Sequence, residues 1–154
     1  ALTGYDGAIP SGNSIAAYNL LKLTRLTGEV KFAKMAEQIF KVFSNEIENS
    51  PTGYTSILSA FMFELSKPKE IVVVGSSSSL ETQSALNILR SKYIPNKVIL
   101  FKDTDDKLQS LTSVAKWTSS HKMINKKTTY YICEDFSCKL PTTDIGKALK
   151  LINE

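Results

Sequence analysis

The chain has little of what small proteins use to make up for a thin core: 2 Cys, 7 Gly, 5 Pro and a single His and Trp in 154 residues. A chain of this length buries roughly 70% of its unfolded surface, so order does not require a disulfide or a metal. Sparse Gly and Pro remove the collagenous and low-complexity classes, and no apolar run approaches the ~20 residues of a membrane span. The opening ALTGYDG has neither the basic start nor the apolar stretch of a signal peptide. The expectation is a cytoplasmic globular protein of one or two domains, without a membrane partner. Equally absent are G-x-G-x-x-G and Gly-Lys-Ser/Thr, so dinucleotide and P-loop chemistry lack their residues. Cys133 and Cys138 are not a C-x-x-C pair, and with His121 they fall short of the four ligands of structural zinc.

What is present divides in two. Residues 1–68 hold 6 Lys+Arg against 6 Asp+Glu and residues 69–154 hold 13 against 9, so the net charge of +4 lies in the second half. Its lysines are scattered singly, and Tyr130-Tyr131 alternates faces within a strand pattern. Nucleic acid is therefore not an expected partner. The first half reads as helices. Phe32, Met35, Ala36, Ile39, Phe40, Phe43 and Ile47 keep the spacing of one wide apolar stripe. Before it, SIAAYNLLKLTRL is apolar on most sides and predicts burial nearly all round, with Gly28 placed to end it. The two make an αα-hairpin. A third helix carries Tyr54, Leu58, Phe61, Met62 and Leu65, and Ser66-Lys67-Pro68 reads as the linker.

Beyond Pro68 the period changes. Glu70–Gly75 and Lys97–Phe101 read as buried parallel strands joined by a helix from Leu80 to Tyr93, with Ser79 as cap. A weaker helix through Leu108, Leu111 and Ala115 precedes a strand at Thr129–Cys133. A last helix runs from about Asp144 to Ile152 with Thr143 as cap. The predicted fold is α/β: residues 1–68 a helical segment, residues 69–154 a small three-stranded parallel layer. One small sheet cannot cover so apolar a set of helices, so polypeptide outside this chain is expected to do so, or a second copy through the same helices.

Asp6-Gly7-Ala8-Ile9-Pro10-Ser11-Gly12-Asn13-Ser14 is the densest local signal. Ser11 or Asn13 can cap the helix that follows, and Asp6, Ser11, Asn13 and Ser14 also offer a carboxylate, hydroxyls and an amide to a polyhydroxy ligand. Capping outweighs ligand contact on chemistry alone. A lone Asp does not run hydrolysis that uses two carboxylates. Gly75-Ser76-Ser77-Ser78-Ser79 reads as a polar turn capping a helix. For Cys133 and Cys138 a reduced pair is the default, a reversible disulfide second and a catalytic thiol third. His121 reads as a surface loop residue, and Trp117 as an anchor packing the polar segment onto the sheet.

Two stretches carry a resemblance: Asp6 to Ala17, and Cys133-x-x-Phe136-x-Cys138-x-x-Pro141 with Thr143-Asp144. The chain resembles the C-terminal end of the bacterial thioredoxin-domain proteins related to spermatogenesis-associated protein 20. That resemblance implies an upstream thioredoxin-like domain and an (α/α) barrel similar to the six-hairpin glycosidases, with Asp6 to Leu65 supplying the last barrel helices. It implies a non-catalytic C-terminal piece, without cofactor or metal, partnered by the upstream domains. The parent's ligand would be carbohydrate-like, met at the rim by Asp6, Ser11, Asn13 and Ser14. The alternative reading is an autonomous redox-responsive or protein-interaction module using Cys133 and Cys138.

Overall fold

A computed structural model describes residues 3–154. They fall into two compact units, one running through Arg25 and then Glu29–Lys67, the other made of Leu26–Gly28 and Pro68–Glu154.

The first unit is helical: α1 (Gly12–Thr27), α2 (Val30–Asn49) and α3 (Thr55–Leu65), with a 3-10 turn at Pro51–Gly53. The hairpin between α1 and α2 turns at Gly28, whose φ of +78° is the left-handed angle that a glycine adopts at little cost. Helix α1 buries Ser14, Ala17, Leu21 and Thr24 in one stripe, while Ile15 and Leu23 stay exposed. The expected all-round burial is not reached within this chain. On α2, Ala36 and Phe43 are buried, whereas Met35 and Val42 are 51% and 59% exposed. Helix α3 buries Ile57, Ala60 and Phe63 and turns Phe61, Met62 and Leu65 outward. Inside, Tyr18 meets Phe63 edge-on at 5.3 Å, and Arg25 pairs with Glu64 at 3.4 Å.

The second unit is α/β, as expected, but its sheet is mixed and four-stranded rather than three-stranded and parallel. Strands β1 (Lys69–Gly75), β2 (Lys97–Asp103), β3 (Thr129–Glu134) and β4 (Ser137–Cys138) lie in the order β2-β1-β3-β4. β1 pairs with β2 in parallel, and α4 (Leu80–Ser91) makes the crossover. β3 runs antiparallel to β1, with Val72 opposite Tyr131 and Val74 opposite Thr129. The connection from β2 to β3, residues 104–128, carries the five-residue helix α5 (Ser110–Val114), and the chain re-enters the sheet at the end where β2 left it. Two other elements are shorter than expected: α4 stops before Tyr93, which is 93% exposed, and α5 starts after Leu108.

Helices α4 and α6 (Ile145–Asn153) cover one face of the sheet. Ile71, Val73, Tyr130 and Ile132 meet Ala85, Leu86 and Leu89 of α4 and Ala148 and Ile152 of α6 there. The cap of α6 is Asp144 rather than Thr143, since its Oδ1 accepts from the Lys147 N–H at 3.1 Å. At the end of β1 Gly75 is fixed by space: a Cβ would come within 2.5 Å of Thr82 Oγ1, which is hydrogen-bonded to Thr128 Oγ1 at 2.9 Å. No helix among the described residues is long and apolar enough to cross a membrane.

Leu89 is fully buried between α4 and the sheet. Leu89→Ala is expected to lower unfolding free energy by about 2–5 kcal/mol. Leu80→Ala, at an 81% exposed position of the same helix, should stay within about 0.5 kcal/mol of the parent chain. Urea unfolding of the two variants side by side checks both.

Candidate functional site

The loop before α1 is built around Asp6, which is buried. Its Oδ1 accepts from the Ser11 N–H and the Ser14 hydroxyl, each at 2.8 Å. Its Oδ2 accepts from the N–H groups of Ser56 and Ile57, at 2.9 and 3.3 Å. One carboxylate thus serves the starts of both α1 and α3, where unpaired N–H groups and the helix dipoles favour a negative charge. Burial alone would raise the Asp6 pKa; the bonds from Ser11, Ser14, Ser56 and Ile57 outweigh it and hold the group below its ordinary value. Ser11 Oγ adds the cap of α1 by accepting from the Ser14 N–H at 3.1 Å. The structure thus gives Asp6, Ser11 and Ser14, three of the four proposed rim residues, a joint capping role. Asn13 is half-buried and donates from Nδ2 to the Thr3 carbonyl at 2.8 Å.

The serine turn after β1 holds an anion of the chain's own. Asp105 Oδ2 accepts from Ser76 Oγ at 2.6 Å, Ser78 Oγ at 3.1 Å and Ser78 N–H at 3.3 Å. The Ser76 hydroxyl, then the Ser78 N–H, holds Asp105 below the usual carboxylate range. Asp103 Oδ1 accepts from the Ser77 N–H at 2.9 Å. Ser79 occupies the N-cap position of α4 without a side-chain capping bond. Ser76, Ser77 and Ser78 therefore bind Asp103 at the end of β2 and Asp105 just after it.

At the other edge Cys133 and Cys138 face each other across β3 and β4 and are joined in a disulfide. The reduced pair expected by default is not what the structure holds. Two central turn residues, Asp135 and Phe136, bring the cysteines opposite, with φ values of 49° and 62°. That left-handed pair is a tight hairpin turn, ordinarily built with Asn or Gly. A bulky residue there is strained by about 1–3 kcal/mol. Neighbours hold it: the Phe136 N–H donates to buried Glu70 Oε2 at 3.3 Å, and its ring meets Trp117 edge-on at 5.2 Å. Trp117 donates from Nε1 to the Leu26 carbonyl at 3.0 Å.

His121 is a correction. It is 8% exposed, not a surface loop residue. Its ring stacks on Tyr131 at 4.2 Å and meets the Trp117 edge at 5.6 Å. Nε2 lies 3.5 Å from Cys138 Sγ, and Nδ1 has no hydrogen-bond partner among the described residues. Burial, and then the Lys102 ammonium, depress the imidazole pKa. Lys102 Nζ donates to the carbonyls of Thr118, Ser119 and His121 at 2.8, 3.1 and 2.8 Å, pinning the backbone that presents the ring. Sequence reading missed the histidine because its neighbours, Ser119, Ser120 and Lys122, are polar and exposed. Spacing alone gave no sign that the segment folds over β3.

The chain is 31% identical over 149 residues to spermatogenesis-associated protein 20 of Rattus norvegicus, and 30% identical over 148 residues to that of Homo sapiens. An uncharacterized protein of Caenorhabditis elegans is 27% identical over 154 residues. These matches take in 97%, 96% and 97% of the chain but 19%, 19% and 20% of the relatives. The chain is thus related over nearly all its length to spermatogenesis-associated protein 20 and spans about a fifth of the length of those relatives. No protein-family model matches the chain, and no solved structure does.

Asp6→Ala leaves several helix-terminal donors without their acceptor and should cost about 2–4 kcal/mol. Because the folded-state pKa is depressed, the stability Asp6 contributes is complete above its ordinary value of 3.8 and is lost as pH falls through the lower folded value. Thermal unfolding of both chains from pH 7 down to pH 2 should show the gap between them close only below about pH 4.

Proposed function

We propose that this chain is the C-terminal portion of a larger protein, without a reaction of its own, whose helical unit packs against upstream polypeptide. The observation that carries the reading is the apolar surface left open on the helices. Val30, Met35 and Val42 of α2 and Met62 and Leu65 of α3 are each at least half exposed. Two apolar grooves run between these helices. One, of about 260 Å³, is lined by Leu20, Met35, Ile39, Val42 and Phe43; the other, of about 230 Å³, by Phe40, Ile47, Ile57, Leu58 and Phe61. Side chains of this kind at helical spacing are what a helix presents to another helix. Relatives that continue well beyond the matched stretch supply the occupant.

The finer assignment rests on resemblance. In it α1 to α3 are the last helices of an (α/α) barrel, a thioredoxin-like domain lies further upstream, and the α/β unit closes the assembly. A carbohydrate-like ligand for the parent follows from the barrel alone, and a fold does not fix a function. In this chain the Asp6 carboxylate is taken up by helix starts, so we assign it to holding the loop rather than to sugar chemistry. The disulfide favours one second reading, that the Cys133–Cys138 edge responds to redox state.

Val42→Lys with Met62→Lys alters exposed positions, and unfolding stability should change by less than about 1 kcal/mol. The same pair should weaken binding to the upstream polypeptide, supplied as a separate chain, by at least about tenfold, measured by calorimetry. Unchanged affinity overturns the docking face, as does a wild-type chain that self-associates through it and ignores the upstream polypeptide. For the second reading, thiol titration should find none before reduction and two after treatment with a phosphine.

A further inference from the structure

We infer that the opened clasp is a metal site: with the disulfide reduced, Cys133 Sγ, Cys138 Sγ and His121 Nε2 form a three-ligand site for a thiophilic cation of the zinc class. The inference rests on the redox reading in one respect, that the bridge can open. Sequence counting set zinc aside for want of ligands, but a fold that presses the lone histidine onto the cysteine pair changes that count. Two thiolates and an imidazole leave the fourth position of a tetrahedral ion to solvent or an outside ligand.

The geometry is specific. The three ligand atoms lie within 4.8 Å of one another. A tetrahedral ion bonded to sulfur at ~2.3 Å and nitrogen at ~2.0 Å holds those atoms about 3.5 Å apart. His121 Nε2 and Cys138 Sγ are already 3.5 Å apart. Opening the bridge lets the sulfurs separate to the distance a shared ion requires, by side-chain rotation at two directly opposed residues of one hairpin.

A second observation is the histidine itself. The residue is more than nine-tenths buried, and its polar contact is to sulfur, a weak acceptor, while Nδ1 has no hydrogen bond among the described residues. Burying an imidazole so poorly partnered is unfavourable. Coordination at Nε2 replaces that weak sulfur contact with a bond to the ion and fixes the ring proton on Nδ1. Its plane is set beforehand by the Tyr131 stack and the Trp117 edge, and its backbone by Lys102. A ligand held this way loses little freedom on binding.

Disulfide and metal exclude one another. A dithiol donates two electrons and two protons to the bridge, closing to its own disulfide and leaving Cys133 and Cys138 as thiols. The cation then displaces one proton from each thiol and binds two thiolates and the neutral ring. An external disulfide reverses this: it takes two electrons from the thiolates and two protons from solvent to become a dithiol, while the sulfur–sulfur bond re-forms and the ion is released.

The test is made on the whole chain, reduced with a phosphine that is then removed without air. Titration with Co2+ should raise sulfur-to-cobalt charge-transfer and tetrahedral d–d absorption that saturates at one ion per chain, and Zn2+ should erase it. The oxidised chain should show neither. His121→Phe keeps an aromatic ring against Tyr131 and should retain two titratable thiols while weakening Zn2+ binding by more than about a hundredfold. Should that variant fold poorly, the wild-type chain still decides, since Zn2+ must slow alkylation of both thiols. Two thiols released with no cobalt absorption, or alkylation that ignores Zn2+, overturns the site and leaves the redox reading standing. Wild-type affinity in a folded His121→Phe overturns it too. If the phosphine releases no thiols, both readings fall.

Discussion

Strand β1 sits between β2 and β3 and is buried on both faces, and the second unit depends on that constraint. Ile71, Val72, Val73 and Val74 are each at most 1% exposed, so each face of the strand needs a cover. Helices α4 and α6 supply one, with the usual apolar stripes. The face that bears Val72 also bears Glu70, Leu100, Lys102, Tyr131 and Cys133 by alternation and register. There the polar segment after α5 folds back with Trp117 and His121. The histidine reaches the disulfide because the segment that carries it lies over Tyr131 on this face. Lys102, which faces that lid, pins it with three backbone carbonyls as acceptors.

A common pattern governs the acidic side chains. Asp6 holds the starts of α1 and α3, Asp105 the serine turn, Asp106 the N–H groups of Leu108 and Ser110, Asp144 the start of α6, and Glu70 the hairpin turn. Each carboxylate is engaged with backbone donors or hydroxyls of its own chain, as an anion at a helix start or turn is expected to be. General acid–base chemistry needs a carboxyl group whose proton is free to move to a substrate. Groups tied down in this way, with Asp6 and Asp105 held below their ordinary pKa values, serve structure.

The helices, the α/β class and the central parallel pair were legible because each rests on local periodicity. The stripe of α2 and the valine run of β1 bound themselves, and Gly28 marks its turn by the angle it must adopt. What escaped depends on weakly patterned segments and on distant contacts. The antiparallel entry of β3 follows a connection, residues 104–128, whose one short α-helix, α5, is too weak in pattern to fix a strand direction from sequence. The hairpin at Asp135-Phe136 was hidden because its left-handed turn lacks Asn and Gly; Glu70, 66 residues away, helps to hold it. Ser11 was legible as a cap for the following helix, but the tie from Asp6 to Ser56 and Ile57 was not, since those partners are 50 and 51 residues distant. The disulfide was open as an alternative and the burial of His121 was not, since nothing in a polar stretch announces a lid.

The clasp can open without taking the sheet with it. It closes a loop with a sequence separation of five, for which the entropy it removes from the unfolded chain amounts to about 2 kcal/mol. On one side of the pair the turn is held by Glu70 and Trp117. On the other the chain stays beside β3, because Lys139 N–H donates to the Ile132 carbonyl at 2.9 Å and Tyr130 and Thr142 exchange backbone bonds at 2.8 and 3.1 Å. Loss of the bridge is therefore confined to two side chains and the ring against them. A structural disulfide whose removal unfolds a domain cannot serve as a switch, whereas one flanked by independent backbone pairing can. The second unit keeps its core on α4 and α6 and leaves the chemistry of its edge free to change.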